Sequence, residues 1–160
     1  MPLISLRYHF RQALNVPARA AYDWATDFDP ADGRLFSRKT RRTVHRLTDD
    51  AVVLTDVTYP DGRPRRIRRL VRMDPAGMAW TNTHLDGPFR HSQFWYRIVP
   101  DGRSASHLEF EGFTLEEVPR RLSSAMVAAR AAQNRRHDSA EWRDYLAPAL
   151  EAEVRAVRTR

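Results

Sequence analysis

The 160-residue chain carries a formal net charge of +7, is 42% hydrophobic and contains no cysteine. Its length suffices for one domain with a sizeable core, and the missing cysteines exclude disulfides, cysteine-ligated zinc and thiol nucleophiles. Because no apolar run reaches the roughly 18 residues of a membrane span and the first residues, MPLISLRYHF, lack a secretory signal pattern, we expect a soluble, cytoplasmic protein.

The first predicted element is a strand over residues 6–16, where apolar side chains recur at every second position. The segment NVPARAAYDWATDFDP, residues 15–30, then repeats apolar side chains at helical spacing behind a proline that suits a first helical turn. A second short helical turn is predicted in PADGRLF, residues 30–36. The aromatic residues of this region are therefore predicted to anchor a core.

Short turns, several of them Asp-Gly, punctuate the middle of the chain and indicate hairpins. The segments between these turns alternate as strands do, which predicts an antiparallel meander. Its six strands are predicted at about 40–47, 51–59, 65–73, 78–85, 89–99 and 104–115.

The rest of the chain is predicted to be helical. A helix, a connector and a second helix are expected to begin near residues 119, 133 and 138. Asp138 and Glu141 have the spacing of a capping box, which would start the second helix. That helix carries an apolar stripe from Trp142 to Val157, and Pro148 predicts a kink within it.

This order of elements resembles the helix-grip fold of the START-like, Bet v 1-like superfamily (SRPBCC), which includes polyketide cyclase-like and Hsp90 ATPase activator-like domains. Three segments carry the resemblance: the helix segment above, FWYRIVPDGRSASHLEFEGF, and AEWRDYLAPALEAEV. The resemblance implies one α+β domain over residues 1–160. In it, a curved seven-stranded antiparallel sheet, two short helices after strand 1 and a long C-terminal helix enclose a cavity. A small hydrophobic or amphipathic molecule, lipid- or polyketide-like, is the implied partner, and no cofactor is expected.

Strand alternation predicts which side chains face such a cavity. On the fourth strand, Arg69 shares a phase with apolar residues, so it is the most informative polar candidate and could clamp a carboxylate or phosphate. The favoured alternative is that Asp56 neutralises Arg69 or that a bulge turns it outward. On the fifth strand either Trp80, Asn82 and His84 or the intervening residues 79, 81 and 83 face inward.

The resulting set of expected ligand-binding residues combines these positions with inward-phased residues of other strands and of the last helix. Its members are Tyr59, Arg69, Val71, Trp80, Asn82, His84, Phe94, Tyr96, Phe110, Trp142 and Leu146. His84 and Tyr96 are the candidate catalytic acid–base groups. His9 and His107 are predicted to neighbour each other on the wet face, as a chance pair and not as a metal site.

Three functions stay open. The leading hypothesis is a module that binds a small hydrophobic ligand, and the second is a polyketide cyclase or aromatase acting in the same cavity. No hydrolase, metalloprotease, phosphate-loop or dinucleotide motif supports an enzyme directly. The third is a co-chaperone-like or nucleic-acid-binding module that uses a basic stripe of Arg66, Arg68 and Arg72. Nucleic acid is disfavoured, because Lys39 is the only lysine and such usage suggests coding preference. A homodimer is compatible with all three.

Overall fold

The computed structural model describes residues 1–36 and 39–158, without the side chains of residues 36 and 158. Seven strands form one antiparallel sheet in the order β1-β7-β6-β5-β4-β3-β2. The strands are β1 Leu3–Leu14, β2 Arg41–Thr48, β3 Ala51–Thr58, β4 Arg65–Asp74, β5 Ala79–His84, β6 Gln93–Pro100 and β7 Ser106–Glu117. The α+β class, the number of strands and the meander from β2 to β7 are thereby confirmed.

The helices cover one face of this sheet. They are α1 Ala18–Thr26, α2 Gly33–Phe36, α3 Ser124–Glu141 and α4 Ala147–Arg158, with short 3₁₀ turns at Pro30–Asp32 and Pro60–Gly62 and a π-helical turn at Trp142–Leu146. The core lies between the sheet and these helices, and its fully buried side chains include Leu14, Val52, Ile98, Leu108 and Leu150. No helix among the described residues is long and apolar enough to cross a membrane.

The starts of β1 and β6 differ most from the sequence prediction. Strand β1 already begins at Leu3, because it pairs with β7 over its whole length, from Leu3 opposite Glu117 to Leu14 opposite Ser106. Strand β6 begins only at Gln93, because residues 88–91 form a turn in which His91 has a φ of 69°. Tertiary pairing extends β1 beyond its alternating segment, whereas the turn shortens β6.

The predicted connector over residues 133–138 is wrong. Helix α3 runs without a break from Ser124 to Glu141, and its N-cap is Ser123, whose side chain accepts a hydrogen bond from the Met126 amide. Asp138 is therefore no N-cap, and its side chain instead accepts a hydrogen bond from the Tyr8 hydroxyl at 2.7 Å. Polar residues such as Gln and Arg do not interrupt a helix, and the packing of α3 on β1 stabilises this one.

A change of helical pitch occurs where a kink was predicted. The π-helical turn Trp142–Leu146 precedes α4, and Pro148 lies in the first turn of α4. Proline cannot donate a backbone hydrogen bond to the carbonyl four residues earlier, so the regular α-helical pattern cannot run through this position. The wider turn leaves Trp142, Leu146, Ala147 and Leu150 all buried against the sheet.

Gly112 on β7 permits a close approach that helps to define the interior. A Cβ atom at this position would lie 2.6 Å from Cζ of Tyr8, which is directly opposite Gly112 in the β1–β7 register. No real side chain could share that space without movement. The absence of a side chain at Gly112 therefore lets the Tyr8 ring lie across β7, with its hydroxyl within reach of α3.

Candidate functional site

The space between the inner face of the sheet, helix α3 and the π-helical turn that follows it is not completely filled by side chains. It holds a larger compartment of about 430 Å³ and a smaller one of about 140 Å³. The larger volume lies in the range of typical ligand cavities. Five residues line both compartments, and we call this shared boundary the waist. The waist residues are Arg69, Asn82, Tyr96, Glu141 and Trp142.

The sheet side of the larger compartment is mainly aromatic. Phe94 and Phe110 lie 6.1 Å apart between ring centroids, and Tyr96 meets Phe110 edge-on at 5.1 Å. Behind them Trp80 stacks on Tyr96 at 4.8 Å with nearly parallel rings, on the side of the smaller compartment. These contacts hold the aromatic wall in one arrangement, and they offer flat apolar surface to a ligand.

The helix side of the same compartment is polar. Helix α3 contributes Gln133, Asn134, His137, Asp138 and Glu141 to the lining. Gln133 and His137 are exposed, as is Phe89 in the turn opposite them, so the compartment opens to solvent between α3 and the β5–β6 turn. The sequence analysis missed this wall because it treated residues 133–138 as a connector. In a continuous helix, polar residues four apart, such as Gln133 and His137, share a face, and this spacing is the signal that would have found the wall.

Arg69 faces inward from β4 and is held by a buried ion-pair network. Asp56 accepts two hydrogen bonds from Arg42, at 2.8 and 2.9 Å, and one from the Nη2 atom of Arg69. The side chains of Arg42, Asp56 and Arg69 are 5%, 8% and 17% exposed. The structure thus combines both expectations, since Arg69 points into the interior and Asp56 neutralises it. Burial lowers the pKa of Arg69, while the Asp56 carboxylate opposes that shift.

Two polar atoms at the waist have no hydrogen-bond partner in the described part of the chain. They are the Nε atom of Arg69, a donor, and the Oδ1 atom of Asn82, an acceptor. A hydrogen bond from Asn82 to the Tyr96 hydroxyl acts to lower the Tyr96 pKa, but burial outweighs it and raises that pKa overall. Tyr96 therefore remains a neutral phenol at physiological pH.

His84 lies directly opposite Arg69 in the β4–β5 register and borders the larger compartment. Its ring packs against Phe94 at 5.2 Å and Phe89 at 6.3 Å between centroids. Burial, helped by the nearby charge of Arg69, lowers the pKa of His84 to about 4. The imidazole is therefore neutral at pH 7 and can accept a hydrogen bond from a ligand.

Two carboxyl groups from α3 complete the polar wall. Burial raises the pKa of Asp138, and burial together with the Asp138 charge raises the pKa of Glu141. Tyr8 donates its hydroxyl hydrogen to Asp138, and burial raises the Tyr8 pKa as well. The larger compartment thus contains carboxyl, imidazole and phenol groups in low-dielectric surroundings, the kind of set that proton transfer requires.

Most of the sequence-predicted site residues meet here. On β5, Trp80 and Asn82 are buried, so the alternative phase with residues 79, 81 and 83 inward is wrong. Two expected residues lie elsewhere: Val71 is fully buried in the core without lining either compartment, and Tyr59 is 36% exposed beside a separate surface hollow. Arg69, Trp80, Asn82, His84, Phe94, Tyr96, Phe110, Trp142 and Leu146 each line at least one of the two compartments.

The outer face of the sheet carries a wide depression. A solvent-open trough of about 810 Å³ crosses five strands there, between rows of side chains that include Trp95 and Arg97. The predicted basic stripe is exposed, but Arg68 pairs with Asp86 at 2.6 Å.

The two histidines of the outer face were predicted to be neighbours, and they are not. In the β1–β7 register His9 lies opposite Glu111, and His107 lies opposite Ala13. The described residues contain no group of three side chains that could hold a metal ion.

Comparison with solved structures assigns the architecture. The ZhuI aromatase/cyclase from Streptomyces sp. R1128 matches with a TM-score of 0.76 and 13% identity, over 96% of this chain and 98% of that one. This chain has the helix-grip fold. A START-superfamily protein from Mycobacterium smegmatis matches this helix-grip chain with a TM-score of 0.65 and 16% identity, over 94% of this chain and 98% of that one.

Norcoclaurine synthase from Thalictrum flavum, in complex with dopamine and hydroxybenzaldehyde, matches the helix-grip chain with a TM-score of 0.59 and 10% identity, over 81% of this chain and 84% of that one. No protein-family model and no curated protein sequence matches. At these identities the comparisons establish the helix-grip fold, and the chemistry of the cavity has to be argued from this chain's own residues.

Replacing Asp56 tests the buried network. In Asp56→Asn, two buried guanidinium groups lose their anionic partner, so we expect a loss of about 3–5 kcal/mol in the free energy of unfolding. Chemical denaturation measures the loss. The matched control is Glu111→Gln, which breaks the exposed pair with Arg7 and should cost no more than about 1 kcal/mol. Equal effects of the two substitutions would contradict the network's role.

The ionisation of His84 can be followed by NMR. The pKa of its ring should be about 4, against an ordinary value of 6.5. The folded state binds the proton less well than the unfolded chain, so protonation of His84 destabilises the fold. The contribution of neutral His84 to the free energy of unfolding is therefore complete above pH 6.5 and is lost as the pH falls from 6.5 to about 4. His84→Gln identifies the resonance. A midpoint near 6.5 in the folded protein would contradict the burial argument.

Proposed function

We propose that this protein binds a small amphipathic molecule, flat and at least partly aromatic, in the cavity between the sheet and α3. The observation that carries the proposal is the division of the larger compartment into an aromatic sheet wall and a polar helix wall, which meet at the waist. A purely aliphatic ligand would leave the polar wall without partners, and a strongly hydrated ligand would gain nothing from the aromatic wall.

The fold comparison supports this proposal independently. Norcoclaurine synthase, which shares the helix-grip fold, has been crystallised with two small aromatic molecules, dopamine and hydroxybenzaldehyde. Lipid-like molecules were part of the initial expectation, but the carboxyl and amide groups of α3 favour a ligand with polar groups along one edge.

Blocking the entrance tests ligand binding. The Gln133→Trp substitution places a large side chain at the solvent-open end of the larger compartment, so the affinity for 8-anilino-1-naphthalenesulfonate should fall at least about tenfold. Arg135→Trp, on the exposed side of the same helix, is the matched control and should bind as the wild type does. Probe fluorescence measures both. Binding that is absent in the wild type, or unaffected by Gln133→Trp, would contradict the proposal.

A second candidate function is cyclisation of a reactive poly-carbonyl chain in the same cavity. It is favoured by one feature of the site: the neutral imidazole of His84, the neutral phenol of Tyr96 and the Asp138 carboxyl group, whose pKa burial raises toward the neutral range, border one compartment. The similarity in fold to an aromatase/cyclase supports it. A cavity that also folds the chain would supply orientation in addition to proton transfer.

The cyclase candidate predicts a product change. Supplied with a poly-β-ketone substrate, the wild type should direct ring closure to one product. His84→Ala or Tyr96→Phe should lower its rate of formation by about 10²-fold, the loss typical of a missing acid–base group. Thr83→Val, on the opposite face of the same strand, is the control. Ligand binding with no effect on product formation would leave the binding function and exclude the cyclase.

A further inference from the structure

The waist contains a donor and an acceptor that the described residues leave unpaired. Arg69 uses its Nη2 atom to bind Asp56, while its Nε atom is buried without a partner among the described residues. Asn82 is 9% exposed, and its Oδ1 atom is likewise unpaired. Buried polar groups normally have partners, because an unpaired one costs about as much free energy as a lost hydrogen bond. These two atoms therefore point to a group that a ligand supplies.

The two residues are neighbours on the inner face of the sheet. Asn82 pairs with Val71, and Arg69 is two residues from Val71 on the same strand and the same face. Such diagonal neighbours are within reach of long side chains, so one small group can contact both. The aromatic rings of Tyr96 and Trp142, 6.4 Å apart between centroids, stand beside them at the waist. A flat ligand can therefore present a single substituent to both polar atoms.

The chemistry of the two atoms restricts that substituent. The Nε–H of Arg69 donates, so the ligand group must accept; the Oδ1 of Asn82 accepts, so the group must also donate. An ether or ketone oxygen satisfies Arg69 but turns lone pairs toward Asn82. An ammonium group satisfies Asn82 but repels Arg69. A hydroxyl group does both, because its hydrogen can point to Asn82 while its oxygen accepts from Arg69.

We propose that Asn82 and Arg69 together recognise one hydroxyl group, phenolic or enolic, on an aromatic ligand held at the waist, and that Asn82 is the residue that selects hydroxyl over ether. This assignment rests on the proposed binding function and adds the ligand group that the site reads. Asn82 thereby determines specificity, whereas the aromatic wall supplies most of the affinity.

The test compares two probes of similar shape, 2-naphthol and 2-methoxynaphthalene, by calorimetric titration of the folded protein. The wild type should bind 2-naphthol about five- to tenfold more tightly, the range expected for one net hydrogen bond. In Asn82→Leu, which keeps the branched skeleton but removes the acceptor, the ratio should fall to about one. Thr83→Val is the control and should keep the wild-type ratio. A wild-type ratio near one, or a ratio unchanged in Asn82→Leu, overturns the assignment.

A second measurement needs no variant. The NMR signal of the Arg69 Nε–H should move downfield when 2-naphthol binds, because this proton gains an acceptor. An unmoved signal with 2-naphthol bound contradicts the inference, even if Asn82→Leu proves too unstable to measure. The two proposals fail differently. If 8-anilino-1-naphthalenesulfonate binds but 2-naphthol and 2-methoxynaphthalene bind equally well, only the assignment of Asn82 is overturned. If none of the three probes binds, the proposed binding function is overturned as well.

Discussion

The interior of this protein depends on one carboxylate. Asp56 on β3 holds Arg42 on β2 and Arg69 on β4, the two adjacent strands, and all three side chains are largely buried. An arginine at the centre of a sheet would be strongly destabilising without such a partner. Because Asp56 occupies only the Nη2 side of Arg69, the Nε side stays available at the waist. A structural ion pair thus presents a functional group.

The two walls of the cavity follow from the two kinds of element that build it. Each strand of the sheet turns alternate side chains inward, and the inward set of β5, β6 and β7 is largely aromatic. Helix α3 is polar on the face that it turns to the cavity, so it covers the sheet without filling the space. The apolar packing that secures the C-terminal segment comes later, from Trp142, Leu146 and Leu150. A covering helix that is polar inside leaves room for a ligand with polar groups of its own.

Much of the site could be predicted from strand alternation. The period of two predicts Phe94 and Tyr96 on the inner face, because residues two apart in a strand share a face. For β5 it left two phases open, and the structure has the one that turns Asn82 and His84 inward. Val71 also faces inward, but it is buried in the packed core and lines neither compartment. The alternation along a strand predicts the face of a residue and not its distance from the cavity. The polar residues of α3 were missed, because this helix has no apolar stripe and the helical spacing of its polar residues is a weaker signal than an apolar stripe would be.

The amino-acid sequence alone determined the order of the strands, the antiparallel sheet and which residues of a strand share a face, because these depend on local alternation and turn residues. Tertiary structure alone decided the continuity of α3, the contact of Tyr8 with Asp138 across Gly112, and the sharing of Asp56 by two arginines. Each of these joins residues distant in the chain or fits them into one small space. Whether a polar side chain ends up paired or free depends on which partners the folded chain brings within about 3 Å, and local sequence carries no record of that distance.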